Sequence, residues 1–428
     1  MTQGRLRWWI AIGLLGPITF VMSLDRTAMV VASPTIQHEY NFTLVQMSWI
    51  LTAFSWTYAL LQVPAGWLAE RFGPRRALVW ANLLWSVLTA ATPLGRSFGS
   101  FIFIRGLLGA GQAADWPASV LALKRWFPLA ERGAGNSILL GALYLGPIAA
   151  APLTTWVIAH YGWRYAFYAF GAVGVLLGLL WYALFRDRPE RHPAITPDEA
   201  RYIAAGQAAS PPIPPGALAL CLRSPQFWAV GAQYFFLILI QSFYTTWLPT
   251  YLVRERHFSL RAMGFGASLP WIALFLMVFV TGALSDRVLR RTRSLWAARV
   301  PFAIAGFVVS AAGLIAASRV ANTAGMMALL CVSLGGVGLT QVSIWSATQD
   351  LGGAATGVVS GWANFWGNAA GVVGPVVTAY LVRWTGSWAG ALLGIALAGL
   401  AGAVLWLFVH PERPLAALGG PPMVTAAS

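Results

Sequence analysis

Twelve apolar runs, most of them about 20 residues or longer, alternate with short polar segments along the 428 residues. About 20 apolar residues are what a helix needs to cross a bilayer. The runs lie near 8–32, 46–69, 77–94, 99–123, 134–159 and 163–185 in the first half. They lie near 225–252, 263–285, 297–317, 323–347, 355–382 and 387–409 in the second. Between the two sets runs a polar stretch, Arg186 to Arg223, rich in proline and charge. Within it, Thr196-Pro197-Asp198-Glu199 onward to Tyr202 predicts a capped surface helix with proline at its first position. The pattern predicts an all-α membrane protein: a six-helix bundle over 1–186, a cytoplasmic linker over 187–223, and a second bundle over 224–428 ending in a short cytoplasmic tail. The first run is too long for the core of a signal peptide and lacks a clear cleavage site, so it reads as a span.

Composition agrees. Only 10% of the residues are charged and 58% are hydrophobic, whereas soluble domains carry roughly 25% charged residues. The 22 Trp and 44 Gly suit membrane helices and their interfaces. A net charge of +15 raises the question of nucleic acid, but the basic residues sit in clusters between apolar runs. With both termini cytoplasmic, 19 of the 28 Lys and Arg fall on that side and seven outside, the positive-inside asymmetry. The bilayer, not nucleic acid, is the expected partner, in the inner (plasma) membrane. Cys221 and Cys331 give no disulfide argument. The five His are scattered over loops and span ends, with no metal-ligand cluster, P-loop or nucleophile motif. An enzyme is therefore unsupported and no cofactor is expected. A membrane sensor would need a signalling domain that neither linker nor tail is long enough to form.

The loop after the second run, Gly66 through Glu70 and Arg71 to Arg76, is echoed 216 residues later by Gly282 through Asp286 and Arg287 to Arg291. Ala151-Pro152 and Gly374-Pro375 form a weaker echo. Two similar halves in one membrane chain imply a transporter with its substrate site between them near the midplane. In the repeated loop a small residue, Gly66 or Gly282, allows close helix approach. An acid, Glu70 or Asp286, suits a neighbouring helix N-terminus or an arginine. Such a contact would latch one conformation; the alternative is that these charges only anchor the loop in water.

The doubled loop resembles the signature of the major facilitator superfamily. Further segments narrow the resemblance: Leu24-Asp25-Arg26, Ser55 to Gly66, Arg105 to Ala118, Trp247 to Leu252, and Asn364 to Asn368. Together they are similar to the anion:cation symporter family. That resemblance implies proton-coupled uptake of hexuronates, aldonates, aldarates or aromatic acids by a monomeric carrier. The alternative within the fold is a proton antiporter exporting drugs or metabolites, for which Gly141 and Gly146-Pro147 are a partial match.

A charge at the centre of a span costs about 2.5–3.5 kcal/mol on insertion scales, so Asp25 and Arg26 need a reason. Arg26 can bind both oxygens of a carboxylate. Asp25 can carry a proton, because burial penalises the charged form. The alternative is a mutually neutralising structural pair. Relatives commonly have a glutamate where this chain has Gln112, which cannot carry a proton. Asp115, about one turn on, replaces that carboxylate or else only hydrogen-bonds within the bundle. Arg105, one stripe away, can screen the site or bind substrate; the superfamily resemblance implies a structural role, which is the favoured one. Tyr58, Gln62, Tyr144, Gln241, Trp345, Ser346, Asn364 and Asn368 are the further candidates for holding a polyhydroxylated acid. Relatives often have a tyrosine where this chain has Ser23, which implies a differently shaped pocket.

Overall fold

The computed structural model describes residues 5–128, 131–205, 217–352, 356–413 and 415. Among them, eleven helices are long and apolar enough to cross a membrane. In the first half these are Leu6–Glu39, entered through a short α1 (Leu6–Ile10) and a π-helical turn and continued as α2 (Gly16–Glu39), then α3 (Leu44–Phe72), α4 (Pro74–Ala91), α7 (Arg132–Tyr161) and α8 (Trp163–Leu184). In the second half come α11 and α12 (Pro225–Ser242 and Leu248–Arg254, joined by a π-helical turn), α13 (Leu260–Thr292), α14 (Leu295–Arg319), α15 (Thr323–Gly352), α16 (Thr356–Thr385) and α17 (Trp388–Leu405).

The expected fourth span is not one helix. It is broken into α5 (Phe98–Gln112) and α6 (Asp115–Trp126), of 15 and 12 residues. Pro117 supplies the reason: it has no N–H for the Ala113 carbonyl four residues back. The chain turns at Ala113-Ala114, and a new helix begins at Asp115.

Helix starts are written locally. Thr43 and Gln46 form a reciprocal capping box on α3, and Ser97 with Ser100 does the same for α5. Pro74 opens α4 after Gly73, whose φ of +83° a side chain would resist. The linker helix α9 (Pro197–Ala205) forms as expected, with Thr196 Oγ1 accepting from Glu199 N at 3.3 Å. A short α10 (Ala217–Leu222) follows.

The chain divides into two compact units, one of residues 1–209 and 246–268, the other of 210–245 and 269–428. The first unit thus takes in α9, α12 and the start of α13. Its core gathers Leu14, Ile18, Leu78, Trp126, Trp181 and Phe185. Glu199 from α9 ties this unit together at one end. Its carboxylate accepts from the backbone N–H groups of Leu6 and Arg7 and from the Arg7 guanidinium at 3.0–3.2 Å. Arg7 also pairs with Glu131 at 2.7 Å, and Tyr202 Oη donates to the same carboxylate at 2.9 Å.

Candidate functional site

In the first unit, α2, α3, α4 and the broken α5/α6 bring the intramembrane charges together. Asp25 is 3% exposed; its Oδ2 accepts from Thr89 Oγ1 of α4 at 3.2 Å, and Oδ1 has no hydrogen-bond partner. Adjacent residues on a helix diverge by about 100°, so Arg26 turns away from Asp25. Its Nε donates to Gln112 Oε1 at 2.7 Å. Its guanidinium carbon lies 4.5 Å from the centre of the Tyr58 ring and 4.9 Å from that of Phe54. Arg105, buried, lies 5.1 Å from the same Phe54 ring centre, with its Nε unpartnered. Two guanidinium groups therefore flank one aromatic ring and act on each other electrostatically.

The platform beneath them depends on a touching helix pair. A Cβ on Gly109 of α5 would collide with the Phe54 carbonyl and the Thr57 hydroxyl, and Thr57 Oγ1 donates to the Gly106 carbonyl at 2.7 Å. Phe54, Tyr58 and Gln62 form one i, i+4, i+8 stripe of α3, with Gln62 Nε2 donating to Tyr58 Oη at 3.4 Å.

The break in span four falls between Gln112 and Asp115, at Ala113-Ala114, whose backbone stays in the right-handed helical region. Gln112 ends α5, fully buried, with its Nε2 unpartnered beside Arg26. Asp115 opens α6, a position where the helix dipole favours an acid. It is 1% exposed, accepts from Ser119 Oγ at 3.5 Å, and lies within electrostatic reach of Arg26. Among the described residues no carboxylate oxygen lies within 4.0 Å of the Arg26 guanidinium. The cluster as a whole holds two cations, Arg26 and Arg105, and two carboxylates, Asp25 and Asp115.

Ser23 is not a pocket wall. Its hydroxyl donates to the Leu143 carbonyl at 2.8 Å, and a Cβ on Gly146 would collide with it, so it sits in the seam between α2 and α7. Tyr144, on the same helix as Gly146, is half-buried.

In the second unit, Trp345 of α15 packs edge-on against Tyr234 of α11, with ring centres 5.5 Å apart. Gln341 Nε2 donates to Tyr234 Oη at 3.3 Å, and Gly367 leaves room for the Tyr234 ring. Gln241 and Ser346 are half-buried. Of the two amides on α16, Asn364 is exposed, and Asn368 turns one N–H back to the Asn364 carbonyl at 2.9 Å. Tyr234, Phe54 and Thr89 were not among the sequence-derived candidates. Phe54 was within reach of the i, i+4 spacing from Tyr58, whereas nothing in the sequence singles out one buried threonine or one tyrosine in an apolar helix.

In this conformation Asp286 of the repeated loop makes no latch contact among the described residues. A Cβ on Gly282 would meet nothing within 4 Å, and one on Gly66 would make ordinary contact with Pro117. Asp286 and Arg287 are exposed, and among the described residues Asp286 has no ion pair. The ion pair in that region joins Arg299 Nε to Asp350 at 3.1 Å, with Arg299 Nη1 donating to Ser285 Oγ at 2.6 Å. The Glu70 side chain lies outside the described residues. Arg71 lies over the rings of Trp67 and Phe72. The acid at the α4 N-terminus is Asp187, which follows α8; its Oδ1 accepts from Arg75 N at 2.8 Å.

Membrane-spanning helices in two units, with ionisable residues buried inside one of them, define a polytopic membrane transporter rather than an enzyme. The chain belongs to the Major Facilitator Superfamily, whose family model matches residues 15–375. It is 31% identical over 350 residues to the probable sulfoacetate transporter SauU of Cupriavidus necator, covering 82% of this chain and 81% of that one. It is 30% identical over 322 residues to the probable galactarate/D-glucarate transporter GudP of Escherichia coli, covering 71% of each. The chloroplastic ascorbate transporter of Arabidopsis thaliana is 28% identical over 365 residues, covering 83% of this chain and 66% of that one. The crystal structure of a bacterial homologue of the human lysosomal transporter Spinster matches in fold, with a TM-score of 0.72 at 16% identity over 96% of both chains.

Proposed function

We propose that the protein imports a small organic anion together with protons, by alternating access, across the inner membrane with both termini cytoplasmic. The observation that carries this reading is the state of Arg26: a stacked guanidinium held by a neutral amide, with no carboxylate in direct contact among the described residues. A half-buried cation inside a span, without a contacting counter-ion, favours an incoming anion. Arg105 across the Phe54 ring adds to that attraction.

The charge balance supports coupling. With both carboxylates ionised, Asp25 and Asp115 offset Arg26 and Arg105. An anion arriving on Arg26 draws its field away from the carboxylates and adds negative charge to a desolvated site, which favours protonation of Asp25 or Asp115. Gln112 takes no proton, so the broken helix supplies the second carboxylate through Asp115 instead. The names of the relatives, carriers of sulfoacetate, galactarate or glucarate, and ascorbate, support small anions as the substrate class. Tyr58 and Gln62 offer hydroxyl and amide groups to a sugar acid, a hexuronate, aldonate or aldarate; Tyr144, Gln241, Trp345 and Ser346 are the further candidates. An aromatic carboxylate is the alternative substrate.

Uptake of labelled galactarate, glucuronate and benzoate into proteoliposomes, with and without an imposed pH gradient, tests the proposal. An acid outside should accelerate uptake of at least one sugar acid, Asp25→Asn should remove that acceleration, and Arg26→Lys should abolish saturable uptake. Uptake indifferent to the gradient and unchanged in Asp25→Asn would overturn it.

A further inference from the structure

Away from the intramembrane charges, the first unit carries a second cationic concentration. A pocket of about 340 Å³ opens where the α3–α4 turn meets the chain leaving α8. Six arginines line it: Arg71 from the end of α3, Arg75 from the start of α4, Arg125 from the end of α6, and Arg186, Arg188 and Arg191 after α8. Among the described residues the one acid lining it is Asp187. That carboxylate is already engaged by Arg75 N at 2.8 Å and faces Arg125 at 3.7 Å. Among the described residues one lining carboxylate stands against six guanidinium groups, a positive surplus.

The pocket is also fixed in shape. Gly73 takes its positive φ against Asp187, and a Cβ there would run into the carboxylate. Arg75 lies 4.3 Å from the Tyr182 ring centre and donates to the Tyr182 carbonyl, and Arg186 donates to the carbonyls of Ala183 and Phe185. These anchors hold the guanidinium groups at the rim of the bundle.

A groove of about 950 Å³ adjoins it and shares Phe72 as a wall. Leu68, Trp80, Leu84, Leu179 and Tyr182 line the groove, and most are exposed apolar side chains on spans of the same bundle. Arg76 also lines it. A cationic pocket at the loop end of the spans runs into an apolar channel along them. In a membrane-spanning bundle this arrangement matches one kind of molecule, amphipathic and anionic, delivered by the bilayer itself.

We propose that the pocket and groove together bind an anionic phospholipid, its phosphate among the arginines and an acyl chain in the groove. Arginine forks suit a phosphate, which accepts from several guanidinium groups at once. Zwitterionic lipid offers the same phosphate but carries its own cation into the surplus, so the site discriminates by net headgroup charge. Because the site bridges α3, α4, α6 and the start of the linker, an occupant would brace the first unit at its loop end.

Native mass spectrometry of the purified full-length protein, with phosphatidylglycerol and phosphatidylcholine supplied in equal amounts, tests this. The expected result is at least fivefold greater retention of phosphatidylglycerol. Retention should fall severalfold in Arg188→Gln/Arg191→Gln, whose two side chains are exposed. It should fall also in Leu84→Ala, which removes groove wall and leaves the arginines intact. Melting temperatures of each variant without added lipid identify any that is merely misfolded. Arg188→Gln/Arg191→Gln and Leu84→Ala address opposite ends of the site, so the surviving variant still decides. Equal retention of the two lipids, or wild-type retention in a folded Arg188→Gln/Arg191→Gln, would overturn the proposal. Inorganic phosphate stabilising the protein as much as phosphatidylglycerol, with Leu84→Ala silent, would replace it with a small-anion site.

Discussion

Arg26 and Gln112 set the chemistry at the scale of single residues. An ionised carboxylate in place of the Gln112 amide would bond Arg26 more strongly, by about 1 kcal/mol on the difference between charged and neutral hydrogen bonds. Gln112→Glu should therefore weaken substrate binding by roughly fivefold to tenfold near neutral pH. The loss should shrink on acidification as the new carboxyl takes a proton, giving a pH dependence that the wild type lacks in this form. Equilibrium binding of a sugar acid across pH 5–8 reads both effects. Wild-type affinity at every pH would show that Arg26 does not need a neutral neighbour. The sequence made Asp25, Arg26 and Gln112 legible because a charge or amide inside an apolar run stands out. It did not reveal which of them touch, since that depends on where the helix of Asp115 begins.

At the scale of elements, the interrupted fourth span and the linker helix carry the argument. Gly109 holds α3 against α5, so even one methyl there must push the helices apart. Overpacking of this kind costs typically about 1–3 kcal/mol. Gly109→Ala should lower the melting temperature and, by shifting the Phe54–Tyr58 platform, weaken binding more than a surface substitution of equal stability cost. The linker contact responds to pH in a defined sense. The hydrogen bond from Arg7, with a second from Tyr202, holds the Glu131 carboxyl below its ordinary range. A carboxylate depressed in the folded state stabilises it above the unfolded pKa and loses that contribution as pH falls through the folded one. The melting temperature should be insensitive to this pair down to about pH 5 and should fall below about pH 4. Glu131→Gln should be less stable near neutrality and should lose that part of the acid sensitivity; an unchanged acid limb in Glu131→Gln would assign the sensitivity elsewhere. Glu199 is more deeply buried, and removing it leaves Arg7 with Glu131 alone and strands the N–H groups of Leu6 and Arg7. Glu199→Ala should cost about 3–5 kcal/mol, the usual penalty for breaking a buried pair.

For the whole molecule, the two-bundle organisation was legible because twelve apolar runs and a repeated loop are long-range patterns written in the order of the residues. The unit boundaries were not. The linker helix belongs with the first unit because Glu199 reaches Leu6 and Arg7, a pairing of single residues that no periodicity encodes. The same holds for α12, which joins that unit through contacts such as Ser33 Oγ to Thr250 Oγ1 at 3.2 Å. The charge balance makes a prediction at this scale. If the two carboxylates restore neutrality when anions bind, a singly charged acid should bring about one proton and a doubly charged one about two. Transport of glucuronate and galactarate measured against membrane potential should then be nearly electroneutral for both. A large current of either sign with the dianion alone would contradict the scheme.

The clamp on Arg7 also has a consequence for biogenesis. Glu199 follows Arg7 by 192 residues. At about 5–20 residues per second, the ribosome delivers the partner roughly 10–40 s after the cation it neutralises. Throughout that interval six apolar segments enter the membrane while the first of them lacks the Glu199 half of its clamp, Glu131 having been made 124 residues after Arg7. The N-terminal half is therefore sealed by its last-made piece, and a nascent chain arrested before α9 would hold its spans without the tie that closes them.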